Sequence, residues 1–153
     1  MLSSVIRFVR LPLVMLAIWA VGRFAMGLFG VPYGPRPNAT FSVVVLTLIT
    51  SIYYGALSNR IGGFDWKGTA LVGASIGVVG QLLIIVFTLV SLIGGLETYF
   101  VNWDAINLPE GTAVTVSTAV TARATGFFVN VILATLEACV GRLLFSGLVT
   151  AKA

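Results

Sequence analysis

The sequence predicts an all-α integral membrane protein in which four transmembrane helices form one bundle. Of its 153 residues, 58% are hydrophobic and only 9% are charged, whereas about 25% of the residues in a typical soluble domain are charged. Four apolar stretches each approach or exceed the roughly 20 residues that cross a hydrocarbon core of about 30 Å. A soluble domain of this length could not bury all four, so we expect residues 1–153 to form a single transmembrane domain.

The first two predicted helices cover residues 11–30 and 41–57. The first stretch is too long for a signal peptide, contains Arg23 and lacks an Ala-x-Ala-like cleavage site. We therefore expect it to be a retained transmembrane helix. Between the two helices, residues 31–38 contain three prolines, which predict a stiff, extended loop.

The third and fourth predicted helices cover residues 69–96 and 126–149. The third stretch exceeds the thickness of the bilayer and must tilt or protrude. Residues 97–125 form the one sizeable loop, which we expect on the outer side. Within it, the segment Asn107–Glu110 has a capping residue, a proline and a glutamate at the spacing typical of a helix start.

The distribution of basic residues predicts that both termini are cytoplasmic. One side of the predicted bundle carries five basic residues outside the apolar stretches and the other side carries two. The five are Arg7, Arg10, Arg60, Lys67 and Lys152, and the two are Arg36 and Arg123. Because cytoplasmic segments carry an excess of Lys and Arg, we place the termini and the middle loop inside. The expected location is a multi-pass position in a membrane, with the bacterial cytoplasmic membrane as the working assignment.

Three ionisable residues lie within the apolar stretches: Arg23, Glu137 and Arg142. A rise of about 1.5 Å per residue puts Arg23 about 18 Å and Glu137 about 14 Å from the cytoplasmic side. These similar depths predict an Arg23–Glu137 ion pair, which either lines a functional site or locks two helices in register. Arg142 lies close to the cytoplasmic edge, where its long side chain would act as an interface anchor.

Small and polar residues also recur at helical spacing in the apolar stretches. The spacing of Gly73 and Gly77 is typical of close helix–helix packing in membranes. One interpretation is that these stripes form the bundle core or an oligomer seam. The other is a polar cavity near mid-membrane, and its candidate residues are Arg23, Gln81, Asn130 and Glu137.

The sequence offers few residues for catalysis or cofactor binding. It contains no histidine and one cysteine, Cys139, in the middle of the fourth apolar stretch. The lack of histidine argues against His-ligated haem, zinc or copper and against most acid–base schemes near neutral pH. We expect no cofactor, metal or catalytic residue, and a buried, inert thiol at Cys139. The basic residues are scattered, so we expect no nucleic-acid partner.

Three functions remain open from the sequence. The favoured one is a non-catalytic membrane subunit whose partners are the lipid bilayer and either other membrane subunits or copies of itself. The alternative is a small transporter or channel with a polar site at the level of Arg23 and Glu137. The third is a membrane enzyme that acts on a lipophilic substrate.

Overall fold

The computed structural model describes residues 1–33 and 40–150, with side chains through residue 146. Its four α-helices are α1 (Leu2–Leu28), α2 (Val43–Ser58), α3 (Trp66–Ile93) and α4 (Val116–Thr150). Two 3₁₀ turns, Tyr99–Val101 and Asp104–Ile106, lie between α3 and α4. Every regular element in these ranges is helical, which confirms the predicted all-α class.

Three of the four helices are long and apolar enough to cross a membrane. They are α1, α3 and the part of α4 from Val116 to Ser146. Helix α2 is as apolar but has only 16 residues, a length of about 24 Å. Three spans are therefore supported by length and composition, while α2 is shorter than an average hydrocarbon core.

Helix α1 begins at Leu2, nine residues before the predicted start. The charges of Arg7 and Arg10 marked this segment as a tail, but its other face is apolar and packs inside the protein. Val5 and Val9 are fully buried. Phe8 packs edge-on against Tyr54 and Phe64, with ring centroids 5.4 Å apart in both pairs. Burial of this amphipathic face extends the helix to 27 residues.

Helix α4 begins at Val116, ten residues before the predicted start, so the predicted loop 97–125 is shorter. The predicted helix start at Asn107 is wrong, because Asn107 adopts a left-handed conformation (φ 59°) and ends the second 3₁₀ turn. The cap of α4 is Thr115 instead, whose Oγ1 accepts the N–H of Thr118 at 3.2 Å.

Helices α2 and α3 lie between α1 and α4. Helix α4 packs closely on both of them, and α1 packs mainly on α3. Successive helices run in opposite directions, since Phe64, just before α3, contacts both Phe8 near the start of α1 and Arg142 near the end of α4. We call this extremity, where α1 and α3 begin, the Arg142 end. The opposite extremity, where α2 and α4 begin, is the Arg123 end.

Parts of two predictions fall outside the described ranges. For the charge asymmetry, these parts are Arg36 and Lys152. For the predicted stiff loop, they are residues 34–38. The charges of Arg7, Arg10, Arg60 and Lys67 are all on segments near the Arg142 end.

Small residues form the contact between α4 and the central helices. A Cβ atom added to Gly77 would lie 3.0 Å from the Cβ of Ala134, and one added to Gly73 would overlap the backbone of α4. Gly55 of α2 meets the backbone of Ala138 in the same way. The Gly73–Gly77 pair is therefore confirmed as a packing motif, and it works within the chain.

Candidate functional site

Arg23 lies near the C-terminal end of α1 and belongs to the Arg123 end of the molecule. It is five residues before the last residue of the helix, or about 7 Å along the axis. Its Nη1 donates a hydrogen bond to the Thr40 carbonyl oxygen at 2.8 Å. The guanidinium also stands 5.0 Å from the ring centroid of Tyr99 and 5.7 Å from that of Tyr33, within cation–π range.

The predicted Arg23–Glu137 pair is wrong. Among the described residues, the Arg23 guanidinium contacts Thr40 and two tyrosines, and the buried Oε2 atom of Glu137 has no hydrogen-bond partner. The depth comparison failed because α1 begins nine residues earlier, which moves Arg23 to an end of the bundle. In addition, α2 and α3 lie between α1 and α4.

Gln81 and Asn130, two other predicted site residues, do come together between α3 and α4. A Cβ atom added to Gly126 would lie 3.9 Å from Asn130 Nδ2 and 4.0 Å from Gln81 Oε1. Asn130 Nδ2 donates to the Gly126 carbonyl at 2.7 Å. Gln81 is 2% exposed, and its Nε2 atom has no acceptor in the part of the chain that the structure describes. Glu137 is about 10 Å further along α4.

Arg142 joins α4 to the start of α3. Its Nη1 donates to the Phe64 carbonyl at 2.9 Å and to Thr69 Oγ1 at 2.8 Å. Its guanidinium lies 4.4 Å from the ring centroid of Trp66. An arginine beside a tryptophan fits the predicted role of Arg142 as an interface anchor, which stays a prediction.

Arg123 is the functional candidate that the sequence analysis missed. Its Nε donates to Thr88 Oγ1 at 3.1 Å, its Nη2 to the Phe100 carbonyl at 2.8 Å and its Nη1 to the Ala105 carbonyl at 3.3 Å. The side chain thus connects α4, α3 and both 3₁₀ turns. The small and β-branched residues 113–122 carried the missed signal, because they extend the helical pattern of α4 upstream past Arg123.

The two arginines Arg23 and Arg123 line one cavity of about 160 Å³ at the Arg123 end. Tyr33, Tyr99 and Ile84 also line it. Burial raises the pKa of the Tyr33 phenol above its ordinary value, an effect that the nearby Arg23 cation partly opposes. The cavity therefore combines two cations with aromatic walls.

The remaining candidate groups are dispersed. Cys139 is a free thiol that is partly buried on α4. Within the described ranges, no three His, Cys, Asp or Glu residues are grouped so as to hold a metal ion. Comparison with models of protein families, with characterised proteins and with solved structures finds nothing that matches this chain.

Proposed function

We propose that this chain is a non-catalytic, multi-pass membrane subunit that stabilises a larger membrane complex or a homo-oligomer. In this proposal all four helices cross the bilayer, and the Arg142 end faces the cytoplasm. The basic residues of that end support the orientation. The 16-residue α2 can span if the bilayer thins locally around it.

The observation that carries the proposal is that an arginine fastens each of the three connections between helices. Arg23 binds the Thr40 carbonyl in the first connection, and Arg142 binds the Phe64 carbonyl in the second. Arg123 binds the Phe100 and Ala105 carbonyls in the third. Hydrogen bonds from charged donors are stronger than neutral ones. Such fastening favours a rigid body, which suits a structural subunit better than a protein that must rock between two states.

The outer face of α4 is the surface that we assign to partner subunits. Large apolar side chains repeat there every four residues and are 45–66% exposed. They are Phe128, Ile132, Leu136, Val140 and Leu144. This spacing puts them on one side of the helix, away from the small residues that face α2 and α3.

Native mass spectrometry after mild-detergent extraction from the source membrane tests the subunit role. We expect the chain to emerge with stoichiometric partners or as a homo-oligomer. The double substitution Ile132→Ala and Leu136→Ala should weaken that association. Leu11→Ala with Ile18→Ala, the same two residue types at nearly the same exposure on α1, serves as the matched control. A wild-type chain that emerges as a monomer would contradict the proposal.

Cysteine labelling tests the orientation separately. In a Cys139→Ala background, single cysteines replace Ser3 or Ile61 at the Arg142 end and Glu110 at the Arg123 end, all of them exposed. A membrane-impermeant maleimide added to intact cells should label only the Glu110→Cys protein. Labelling of the Ser3→Cys or Ile61→Cys protein before lysis would show that the orientation is the reverse of the proposed one or that fewer than four helices cross the membrane.

One observation favours a small transporter or channel as the second candidate. Gln81 Nε2 and Glu137 Oε2 are buried without hydrogen-bond partners among the described residues. Burying an unpaired polar group costs free energy, and polar residues within membrane helices often mark functional sites. The double substitution Gln81→Leu and Glu137→Leu separates the two functions. A structural subunit should still assemble with these changes. A transporter should assemble but lose proton flux, measured in liposomes with an internal pH dye.

A further inference from the structure

The cavity at the Arg123 end has a composition that the subunit role does not require. It brings arginines from α1 and α4 to one cavity of about 160 Å³. The geometry points to a binding site for an oxyanion, a phosphate or carboxylate group, held between Arg23 and Arg123. This inference goes beyond the proposed function, because a subunit could assemble with the cavity empty.

The charge balance of Arg123 is the first argument. An arginine has five N–H donors, and the three bonds of Arg123 all go to neutral oxygens. The chain has five acidic residues, all within the described ranges, and none of them forms an ion pair with Arg123. They are Asp65, Glu97, Asp104, Glu110 and Glu137. A second cation, Arg23, shares the cavity. The Asp104 carboxylate is close enough to act on Tyr33 but forms no ion pair with Arg123, so an anion in the cavity would still lie between two like charges.

The size of the cavity limits what it can hold. Its volume of about 160 Å³ is several times the roughly 30 Å³ that one water molecule takes in the liquid. It is well below the roughly 300–1,000 Å³ of pockets that enclose a whole drug-sized ligand. The space therefore suits a compact anionic group. The planar guanidinium fork is the side chain best matched to phosphate and carboxylate oxygens.

An apolar groove on the α3–α4 surface indicates where the rest of such a ligand would lie. The groove has a volume of about 240 Å³ and shares Arg123 with the polar cavity. Its other walls include Ile85, Leu89, Val120 and Ala124. A phosphate carried by a membrane lipid could reach the arginines while an acyl chain follows the groove. A free phosphate ion offers the same chemistry to the arginines, and the experiment below distinguishes the two sources.

The test uses the full chain, stripped of lipid in a non-ionic detergent. Native mass spectrometry measures the binding of phosphatidylglycerol and, as the zwitterionic comparison, phosphatidylcholine with identical chains. We expect the wild type to retain one phosphatidylglycerol and to prefer it about tenfold, the effect of one charge-assisted contact. No preference, together with no saturable binding of inorganic phosphate in calorimetry, would overturn the proposal.

Variants connect the binding to the two arginines. Arg123→Gln and Arg23→Gln should each lower the affinity for the bound lipid or phosphate about tenfold. Arg10→Gln removes the same charge from an exposed arginine near the Arg142 end that lines neither arginine cavity and should leave binding within about twofold. An equal loss in Arg10→Gln would mean diffuse electrostatics and would refute the site. Circular dichroism checks folding. If Arg123→Gln does not fold, Arg123→Lys and Arg23→Gln test the site instead. Arg123→Lys keeps the positive charge but lacks the planar guanidinium group.

Inorganic phosphate identifies the source of the anion. If millimolar phosphate binds alone, with the same dependence on Arg23 and Arg123, or displaces the lipid, the site accepts free oxyanions. If phosphatidylglycerol binds and phosphate neither binds nor competes, the ligand is the lipid itself. Both results support the oxyanion site, and they differ only in what delivers the anion to it.

Discussion

The two ends of the molecule use arginine in the same local way but for different tasks. At the Arg142 end, a single short connection, residues 59–65, is held by Arg142, whose guanidinium packs on Trp66. At the Arg123 end, two longer connections meet, and the arginines that hold them surround a cavity. A fastened loop is therefore a general feature of this fold, and so is a cavity lined by two arginines, since Arg60 and Arg142 line one of about 400 Å³ at the Arg142 end. At the Arg123 end both arginines of the cavity fasten a connection, whereas Arg60 is an exposed residue of the connection itself.

A repeated tripeptide makes the comparison direct. Val21-Gly22-Arg23 and Val140-Gly141-Arg142 both place a glycine before the arginine. A Cβ atom on Gly22 would lie 3.0 Å from the ring of Phe41, whereas one on Gly141 would overlap the backbone of α2 at Ile52. A ring can rotate away, but a helix backbone cannot. At these two glycines, the Arg142 end thus depends on direct contact between helices and the Arg123 end on contact between a helix and a loop.

The largest expected effect comes from enlarging a glycine in each kind of contact. Gly141→Val would force α2 and α4 apart and should cost about 3 kcal/mol or more, the upper range of overpacking. Gly27→Val at the Arg123 end meets the Cα of Thr98 at 2.7 Å, but that segment is a loop that can shift, so about 1–2 kcal/mol is expected. Unfolding by sodium dodecyl sulfate in mixed micelles, followed by circular dichroism, measures both.

A control and a contradicting result are available for the glycine pair. Leu143→Ala changes an exposed side chain two residues from Gly141, outside the surface assigned to partner subunits, and should alter stability little. If Gly27→Val is as damaging as Gly141→Val, the loops of the Arg123 end are as rigid as a helix seam. The distinction between the two ends would then fail.

The next largest effect is the loss of the arginines themselves. Arg123→Met leaves three oxygen acceptors without their donor and should cost about 3 kcal/mol at about 1 kcal/mol per bond. Arg142→Met removes two bonds and the contact with Trp66 at an end that interfacial water can reach, so about 1–2 kcal/mol is expected. The same unfolding assay applies. Equal losses of stability would show that the two arginines stabilise the fold to the same extent and that the setting of Arg123 beside the cavity has no additional effect on stability.

The sequence predicted the centres of the helices well and their ends poorly. Apolar composition fixes the centres, because any long apolar segment must be shielded from water. The ends depend on partners. The charged start of α1 is helical because Val5 and Val9 find a buried position, and α4 begins early because Arg123 finds carbonyl acceptors in the loop. Both contacts join residues that are distant in the sequence, so a prediction from a short stretch of sequence cannot include them.

The candidate site was predicted only in part for the same reason. Gln81 and Asn130 both approach Gly126, because both lie on polar stripes of helices adjacent in the chain, but the polar cavity that they were predicted to line stays a prediction. The Arg23–Glu137 pair failed because matching depths do not establish that two helices touch, and α1 packs mainly on α3. Arg123 was missed because a basic residue outside an apolar stretch was interpreted as a topology signal.

Helix caps give a smaller, matched comparison between the ends. Asp65 caps α3 at the Arg142 end, where its Oδ1 accepts the N–H of Gly68 at 2.8 Å. Ser42 caps α2 at the Arg123 end through a longer bond of 3.4 Å from the N–H of Val45. Asp65→Ala should cost about 1 kcal/mol and Ser42→Ala a few tenths, because the charged, shorter cap is stronger. The reverse order in thermal unfolding would contradict this ranking of the two caps.

The smallest effect is a pH dependence at the Arg123 end. Burial raises the pKa of the Tyr33 phenol in the folded protein, against about 10 in the unfolded chain. The folded state then holds this proton more tightly, so its contribution to stability is constant below about pH 10 and decreases as the pH rises through the folded pKa. Absorbance of the phenolate near 295 nm should show a late-titrating tyrosine that Tyr33→Phe removes.

Arg23 sharpens this last test, because its cation favours the phenolate and opposes the effect of burial. Arg23→Gln should therefore delay the ionisation of Tyr33 further. Phosphate or phosphatidylglycerol bound beside Tyr33 should delay it as well, since an added anion disfavours a second negative charge. Unchanged titration in Arg23→Gln would mean that water screens the tyrosine from the arginine. The cavity would then be too wet to distinguish the Arg123 end from the Arg142 end in its electrostatics.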